Sequence, residues 1–153
     1  MRPYAVVFYG LAEQLQEHMM SKDIFNPPTM MKPAGYSHVA RVTGGSLVYI
    51  AGQVSADVSG NLVGQGNLEA QAEQVFKNLK AAVEAAGGTM ADIIKMNVYL
   101  VAEVGADEVP KFRAVRDRYV NVEKPPASTL VVVTRLARPG WLIEIEAVAA
   151  TEG

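Results

Sequence analysis

The chain has 153 residues, of which 50% are hydrophobic and 20% charged, a composition typical of one folded domain with a single core. Its formal net charge of −2 is far from the basic charge that binding to a phosphate backbone requires, so nucleic acid is not expected as the main partner. There are no cysteines and two histidines, His18 and His38, which excludes disulfides and thiolate chemistry and leaves almost no ligands for a metal. We therefore expect no cofactor, and any catalysis must use carboxylates, hydroxyls, arginines, backbone groups and water.

Residues 1–29 are predicted to form an N-terminal extension and linker in front of a single domain at 30–153. The apolar run from Tyr4 to Leu11 is short and has no clear cleavage site, so a cytoplasmic protein without a membrane span is expected. Asn26-Pro27-Pro28 and Lys32-Pro33 favour an extended or turning backbone, because proline disfavours the helical conformation of the residue before it.

The first half of the domain is predicted to contain two strands and a helix. Strands at 37–42 and 46–54 flank Thr43-Gly44-Gly45, which suits a hairpin turn. Asn67 is predicted to cap a helix whose apolar residues recur every three or four positions and which ends at Gly87-Gly88. The predicted buried stripe of this helix is Leu68, Ala72, Val75, Phe76, Leu79, Val83 and Ala86.

The second half continues with a strand at 92–101, a helix capped by Asp107, and two strands at 127–136 and 142–149. The order β-β-α-β-α-β-β predicts an α+β fold, a mixed sheet with both helices on one face. Two helices cover only that face, and the other is half-apolar, which predicts that the protein forms oligomers.

The last strand carries two glutamates on one face. Because side chains alternate across a strand, Glu144 and Glu146 lie opposite Ile143, Ile145 and Ala147, which are predicted to be core. Two interpretations remain open. The glutamates belong to a solvated face, or one of them lies on a face covered by another subunit, where it positions water or moves a proton.

Several motifs resemble one known family. The strings PASTLVVV at 126–133 and LIEIEAVA at 142–149, together with VYIAGQV at 48–54 and DIIKMNVYL at 92–100, are similar to those of the Rid family, also called YjgF or endoribonuclease L-PSP. The resemblance spans about residues 30–150. It implies a chorismate mutase-like fold, a homotrimer whose three sheets pack into a central barrel, and small-molecule clefts between the subunits.

The resemblance also implies roles for particular residues. In deaminating members, a glutamate in the last strand positions the water that attacks an imine, a tyrosine shapes the pocket, and an arginine binds the substrate carboxylate. These roles fall on Glu144, Tyr36 and, where this sequence departs from the pattern, Ser128. Losing a charged hydrogen bond costs about 1.5 to 3 kcal/mol, so a carboxylate-anchored imine such as 2-aminoacrylate is not the expected substrate.

Another arginine is a possible substitute for the missing one. Arg116, on the second helix, is ranked first, ahead of Arg135 and Arg41; the alternative is that each pairs with a carboxylate and is structural. Gly52 and the backbone around Leu130 are predicted to shape the cleft floor.

Three functions follow from the resemblance. The first is water-assisted hydrolysis of an imine, enamine or related C–N bond. The second is a non-catalytic metabolite-binding or chaperone-like trimer. The third is an endoribonuclease or translation inhibitor, which rests on family labels alone.

Overall fold

The computed structural model describes residues 19–152, in which six strands and two helices are formed. In chain order they are β1 (Ser21–Phe25), β2 (Val39–Thr43), β3 (Ser46–Val54), α1 (Leu68–Ala85), β4 (Ile93–Val101), α2 (Val109–Arg116), β5 (Ala127–Val133) and β6 (Ile143–Thr151). Short 3-10 turns precede β4 and α2.

Strands β3 to β6 form a four-stranded mixed sheet in the order β3-β6-β4-β5. The β3–β6 and β6–β4 pairs are antiparallel, and β4–β5 is parallel. The predicted α+β fold with a mixed sheet is thereby confirmed. The last strand, β6, lies in the interior of the sheet, so the strand that carries Glu144 and Glu146 is paired on both sides.

The predicted hairpin across Thr43-Gly44-Gly45 is wrong. Strand β2 pairs with β1, in an antiparallel register from Ser21↔Thr43 to Phe25↔Val39, and the two form a separate sheet. Gly44 and Gly45 both have a φ of 69°, a conformation that glycine adopts without strain, and there the chain passes from one sheet to the other. Strand β1 was not predicted, because three of its five residues are polar and prolines follow closely.

The helix caps agree with prediction in one case of two. The side chain of Asn67 accepts a hydrogen bond of 3.0 Å from the backbone N–H of Ala70, as expected for the cap of α1. The predicted Asp107 cap is wrong, because Asp107 lies inside the 3-10 turn Ala106–Glu108. The N-cap of α2 is Glu108, which makes no side-chain capping bond.

The two faces of the four-stranded sheet differ in burial. The face toward α1 and α2 is core along β4 and β6, where its strand residues are almost inaccessible, as predicted for Ile143, Ile145 and Ala147. We call the opposite side the open face. Its members, assigned from alternation and register, are Leu47, Tyr49, Lys95, Asn97, Tyr99, Thr129, Val131, Glu144, Glu146 and Val148. Tyr49 is 77% exposed and Leu47 52%, so this face is half-apolar and uncovered within one chain.

The loop that leads into β6 is fixed by the fully buried side chain of Gln71 on α1. Its amide nitrogen donates to the carbonyls of Gly140 at 2.8 Å and Gly64 at 3.2 Å, and its amide oxygen accepts from the N–H of Leu142 at 2.8 Å. A buried amide with its hydrogen bonds made in this way fixes the backbone around it. The start of β6, and hence Glu144, is therefore tied directly to the first turns of α1.

Candidate functional site

Glu144 lies partly buried on the open face, beside an irregularity in the neighbouring strand. Strand β3 pairs regularly with β6 up to Ile50 and again from Gln53, and the residues between form a bulge. Gly52 lies in this bulge against the glutamate. A Cβ atom added there would fall 2.8 Å from Cδ of Glu144 and closer still to its Oε1. The space that the Glu144 carboxylate occupies therefore exists because residue 52 has no side chain.

The second glutamate of the strand is held by its neighbours on β4. Oε1 of Glu146 accepts hydrogen bonds from Nδ2 of Asn97 at 2.6 Å and from the hydroxyl of Tyr99 at 2.9 Å. The bond from Asn97, followed by that from Tyr99, holds the pKa of Glu146 below its ordinary value. The same bond to Glu146 raises the pKa of Tyr99. Glu146 is thus a fixed, ionised carboxylate.

A lysine completes this polar cluster. Nζ of Lys95 donates a hydrogen bond of 2.7 Å to Oγ1 of Thr129 on β5. Partial burial lowers the pKa of Lys95, and the nearby Glu146 carboxylate opposes that effect. A cavity of about 440 Å³ adjoins the cluster, lined by Tyr49, Ile50, Ala51, Lys95, Asn97, Glu146, Ala147 and Val148. Lys95, Asn97 and Tyr99 were missed as site residues, although their alternation along β4 is the same signal that identified the glutamates.

Three other predicted site residues lie together at a different place. The backbone N–H of Ser37 donates to the carbonyl of Pro126 at 3.2 Å, which lays the segment containing Tyr36 beside Ser128. Arg116 lies against the same segment, since a Cβ atom on Gly35 would be 2.6 Å from its Nη2. The segment containing Tyr36 therefore lies between Arg116 on one side and the start of β5, with Ser128, on the other.

This group is on the opposite side of the sheet from Glu144. Ser128 is the register partner of Met96, whose side chain is 1% exposed in the core between sheet and helices. Paired residues share a face, so Ser128 and, two residues on, Leu130 point to the helix side of edge strand β5. Glu144 is the register partner of Tyr99 on the open face. One chain therefore does not bring Ser128 and Glu144 together.

The arginines considered as substitutes for the one replaced by Ser128 have different surroundings. Arg116 is 8% exposed, and its Nη2 and Nε donate to Asp117 Oδ1 at 2.6 and 2.9 Å. Arg41 pairs with Asp23 across the β1–β2 sheet at 2.7 Å. Arg135 lies beyond β5 in a second cavity, together with Arg138. The carboxylate partners of Arg116 and Arg41 favour structural roles for these two.

Two classes of feature are not found in the described part of the chain. Within residues 19–152, neither helix has the length and apolar character needed to cross a bilayer. Over the same range, no three His, Asp or Glu side chains are grouped so that they could share a metal ion.

Comparison with known proteins identifies the family. The model described as Endoribonuclease L-PSP matches residues 29–151. The chain belongs to this family, also called Rid or YjgF. A RutC family protein of Pyrococcus horikoshii is 36% identical over 132 residues, covering 86% of this chain and 99% of that protein. A 2-iminobutanoate/2-iminopropanoate deaminase of Dermatophagoides farinae is 32% identical over 135 residues, covering 88% and 100%.

A solved structure supports the same assignment. The Rid protein YyfB of Yersinia pestis, described as a protein of unknown function, superposes with a TM-score of 0.78 at 36% identity, covering 85% of this chain and 98% of that one. Rid membership therefore rests on both sequence and fold, and it supports deaminase-like or endoribonuclease-like roles in general terms. The predicted boundary between extension and domain at 29/30 stays a prediction, and residues 1–18 lie outside the described part.

The hydrogen bonds to Glu146 predict a contribution to acid stability. A carboxyl whose folded pKa lies below its ordinary value of 4.5 stabilises the fold above that pH, and the contribution is lost as the pH falls through the folded pKa. Between about pH 5 and pH 3, the free energy of unfolding should therefore fall less for Glu146→Gln than for wild type. The difference should be about 1 kcal/mol or less, because the group is partly exposed. Thermal unfolding across this range measures it. Parallel curves for Glu146→Gln, wild type and the exposed-loop control Glu123→Gln would contradict the prediction.

Proposed function

We propose that the protein hydrolyses the C–N bond of a small imine or enamine in clefts between the subunits of a homotrimer, with Glu144 as the group that activates water. The observation that carries the proposal is the Glu144 carboxylate on the open face, in a space that Gly52 keeps free. The deaminase of Dermatophagoides farinae supports the reaction class by its similarity.

The placement of the predicted residues on two faces supports the assembly. Ser128 lies on the helix side of edge strand β5, with the segment containing Tyr36 beside it, whereas Glu144 lies on the open face. An edge of one subunit laid against the open face of the next would bring the two groups into one cleft. The exposed Leu47 and Tyr49 supply the apolar area that such a contact would bury.

The chemistry needs only water and a carboxylate. Glu144 accepts a proton from a water molecule whose oxygen bonds to the imine carbon and passes that proton to the imine nitrogen, which gives a neutral carbinolamine and restores the carboxylate. The hydroxyl proton of the carbinolamine is then transferred to nitrogen through the same carboxylate. The C–N bond breaks with its electron pair on nitrogen, so ammonia leaves and a carbonyl product remains. An enamine enters the same route after protonation on carbon.

The test compares ammonia release from 2-aminoacrylate and from an imine without a carboxylate, for wild type and Ser128→Arg. Wild type should act on the uncharged imine rather than on 2-aminoacrylate, because the hydroxyl of Ser128 cannot bind a carboxylate as the paired donors of a guanidinium do. Ser128→Arg should improve KM for the carboxylate substrate by about 10- to 150-fold. A Ser128→Arg protein that assembles normally but releases ammonia from neither substrate would contradict the proposal.

A second function is favoured by the surroundings of Arg116. Its guanidinium already binds Asp117, so neither residue 116 nor residue 128 offers a free cation for a short imino acid. This arrangement fits a trimer that binds metabolites without reacting with them. Saturable ligand binding with no ammonia release from any imine would favour this function. The net charge of −2 counts against the ribonuclease activity named in the family description.

A further inference from the structure

A second cavity, of about 400 Å³, lies where the loop after β5 meets the start of β6. Its lining combines two arginines, Arg135 and Arg138, with the indole of Trp141, the carboxylate of Glu103 and apolar side chains that include Val101 and Leu142. Cationic groups beside apolar walls are the lining expected of a pocket for an organic anion.

This cavity continues the open face next to Glu144. Leu142 precedes Glu144 by two residues, and Val101 follows Tyr99, the register partner of Glu144, by two residues. The N–H of Val101 donates to the carbonyl of Leu142 at 3.1 Å, so the pairing continues into the cavity. Residues two apart in a strand share a face and are about 7 Å apart. The nearest lining residues of the cavity therefore lie two residues along the strands from Glu144 and its partner Tyr99.

The two arginines are placed to bind an anion. The guanidinium carbon of Arg138 lies 5.4 Å from the centre of the Trp141 ring, within the range of a cation–π contact. Among residues 19–152, neither Arg135 nor Arg138 has a carboxylate within 4.0 Å. With Glu103 included, the lining carries a net charge of +1, which suits a monoanionic group.

We propose that Arg135 and Arg138 bind the carboxylate of an organic ligand whose apolar body lies toward Leu142 and Glu144. The proposal rests on the hydrolysis assigned to Glu144, and it defines the class of substrate. The carboxylate is separated from the reacting C–N carbon by several bonds, since Leu142, the lining residue nearest Glu144 in β6, is already about 7 Å from it along the strand. In a 2-imino acid of the family type, by contrast, the carboxylate is bonded directly to that carbon. Ser128 is then not needed as an anchor.

Trp141 is the only tryptophan of the chain, so its fluorescence reports directly on this cavity. The probe is 4-methylpentanoate, with the uncharged 4-methylpentanamide as its analogue; neither absorbs where tryptophan is excited. The carboxylate should change the Trp141 emission with saturation, and the amide should not. Arg135→Gln and Arg138→Gln should each weaken binding by about 10- to 150-fold. Arg113→Gln, a change at an exposed arginine on α2, should bind like wild type.

Three outcomes would overturn the proposal: equal binding of acid and amide, unchanged affinity in both arginine variants, or inorganic phosphate binding as tightly as the carboxylate. A second measurement separates it from the proposed hydrolysis. Ammonia release is compared for 2-iminoglutarate, which carries a remote carboxylate, and 2-iminopentanoate, which lacks one. Wild type should prefer the former, and Arg135→Gln should lose the preference. Carboxylate binding without ammonia from any imine would support the anion site while contradicting the hydrolysis.

Discussion

Replacing Glu144 by glutamine is expected to lower the rate of ammonia release by about 10²- to 10⁴-fold, the usual effect of removing a general base. The amide has almost the shape of the carboxylate, so it fills the space beside Gly52 but cannot accept a proton from water. Because the change removes a step in the reaction, kcat should fall more than KM rises. Steady-state ammonia release from an uncharged imine measures both constants.

The matched control is Glu146→Gln. It makes the same chemical change on the same strand and the same face, but at a carboxylate already engaged by Asn97 and Tyr99. Its activity should stay within a few-fold of wild type. Equal losses in the two variants would contradict a specific role for Glu144 and point to the charge of the whole open face. A Glu144→Gln protein with wild-type activity would contradict the proposed mechanism.

Gly52→Ala is expected to reduce activity by about 100-fold while leaving the fold intact. The added Cβ would lie 2.8 Å from Cδ and 3.0 Å from Cγ of Glu144, so the glutamate side chain has to move aside. Displacing a catalytic group by about 1 Å is enough for a loss of this size. The stability cost is small because the clash is with the end of a flexible side chain, not with the backbone. Activity and thermal unfolding should both be measured.

Gly60→Ala is the control for the effect of losing a glycine. Gly60 has a φ of 81°, and a Cβ there would meet no atom within 4 Å, so this change strains the backbone without touching the site. We expect Gly60→Ala to lose some stability and keep its activity, the reverse of Gly52→Ala. If both variants lost activity in proportion to stability, the placement of Glu144 by Gly52 would be contradicted.

The main elements could be predicted from the sequence where one periodicity dominates. The strand β3 and the stripe of α1 were located correctly, because their burial follows the local pattern of apolar residues; the exception is Ala86, predicted to be buried, which is the exposed C-cap of α1. Pairing partners are set by distant parts of the chain, so the association of β2 with β1 was missed. Gln71 was missed for a related reason. Its burial is stabilised by backbone groups of two loops, one of them about 70 residues away, and no local pattern records this.

The site was predictable one strand at a time but not as an arrangement. Alternation along β6 placed Glu144 and Glu146 on one face, as the structure has them. The opposite orientation of Ser128 depends on the register of β5 against β4, which the sequence does not contain. The same limit applies to Arg135. It lines one cavity with Arg138 and Trp141 only because of the way the loop after β5 folds.

The interior position of β6 has a consequence for folding kinetics. The strand at residues 143–151 pairs with β3 at 46–54 and β4 at 93–101, so half of its contacts close a loop of nearly one hundred residues. Folding must therefore lose the entropy of a long loop before the sheet gains this strand, so the pairing of β6 with β3 is expected to slow folding.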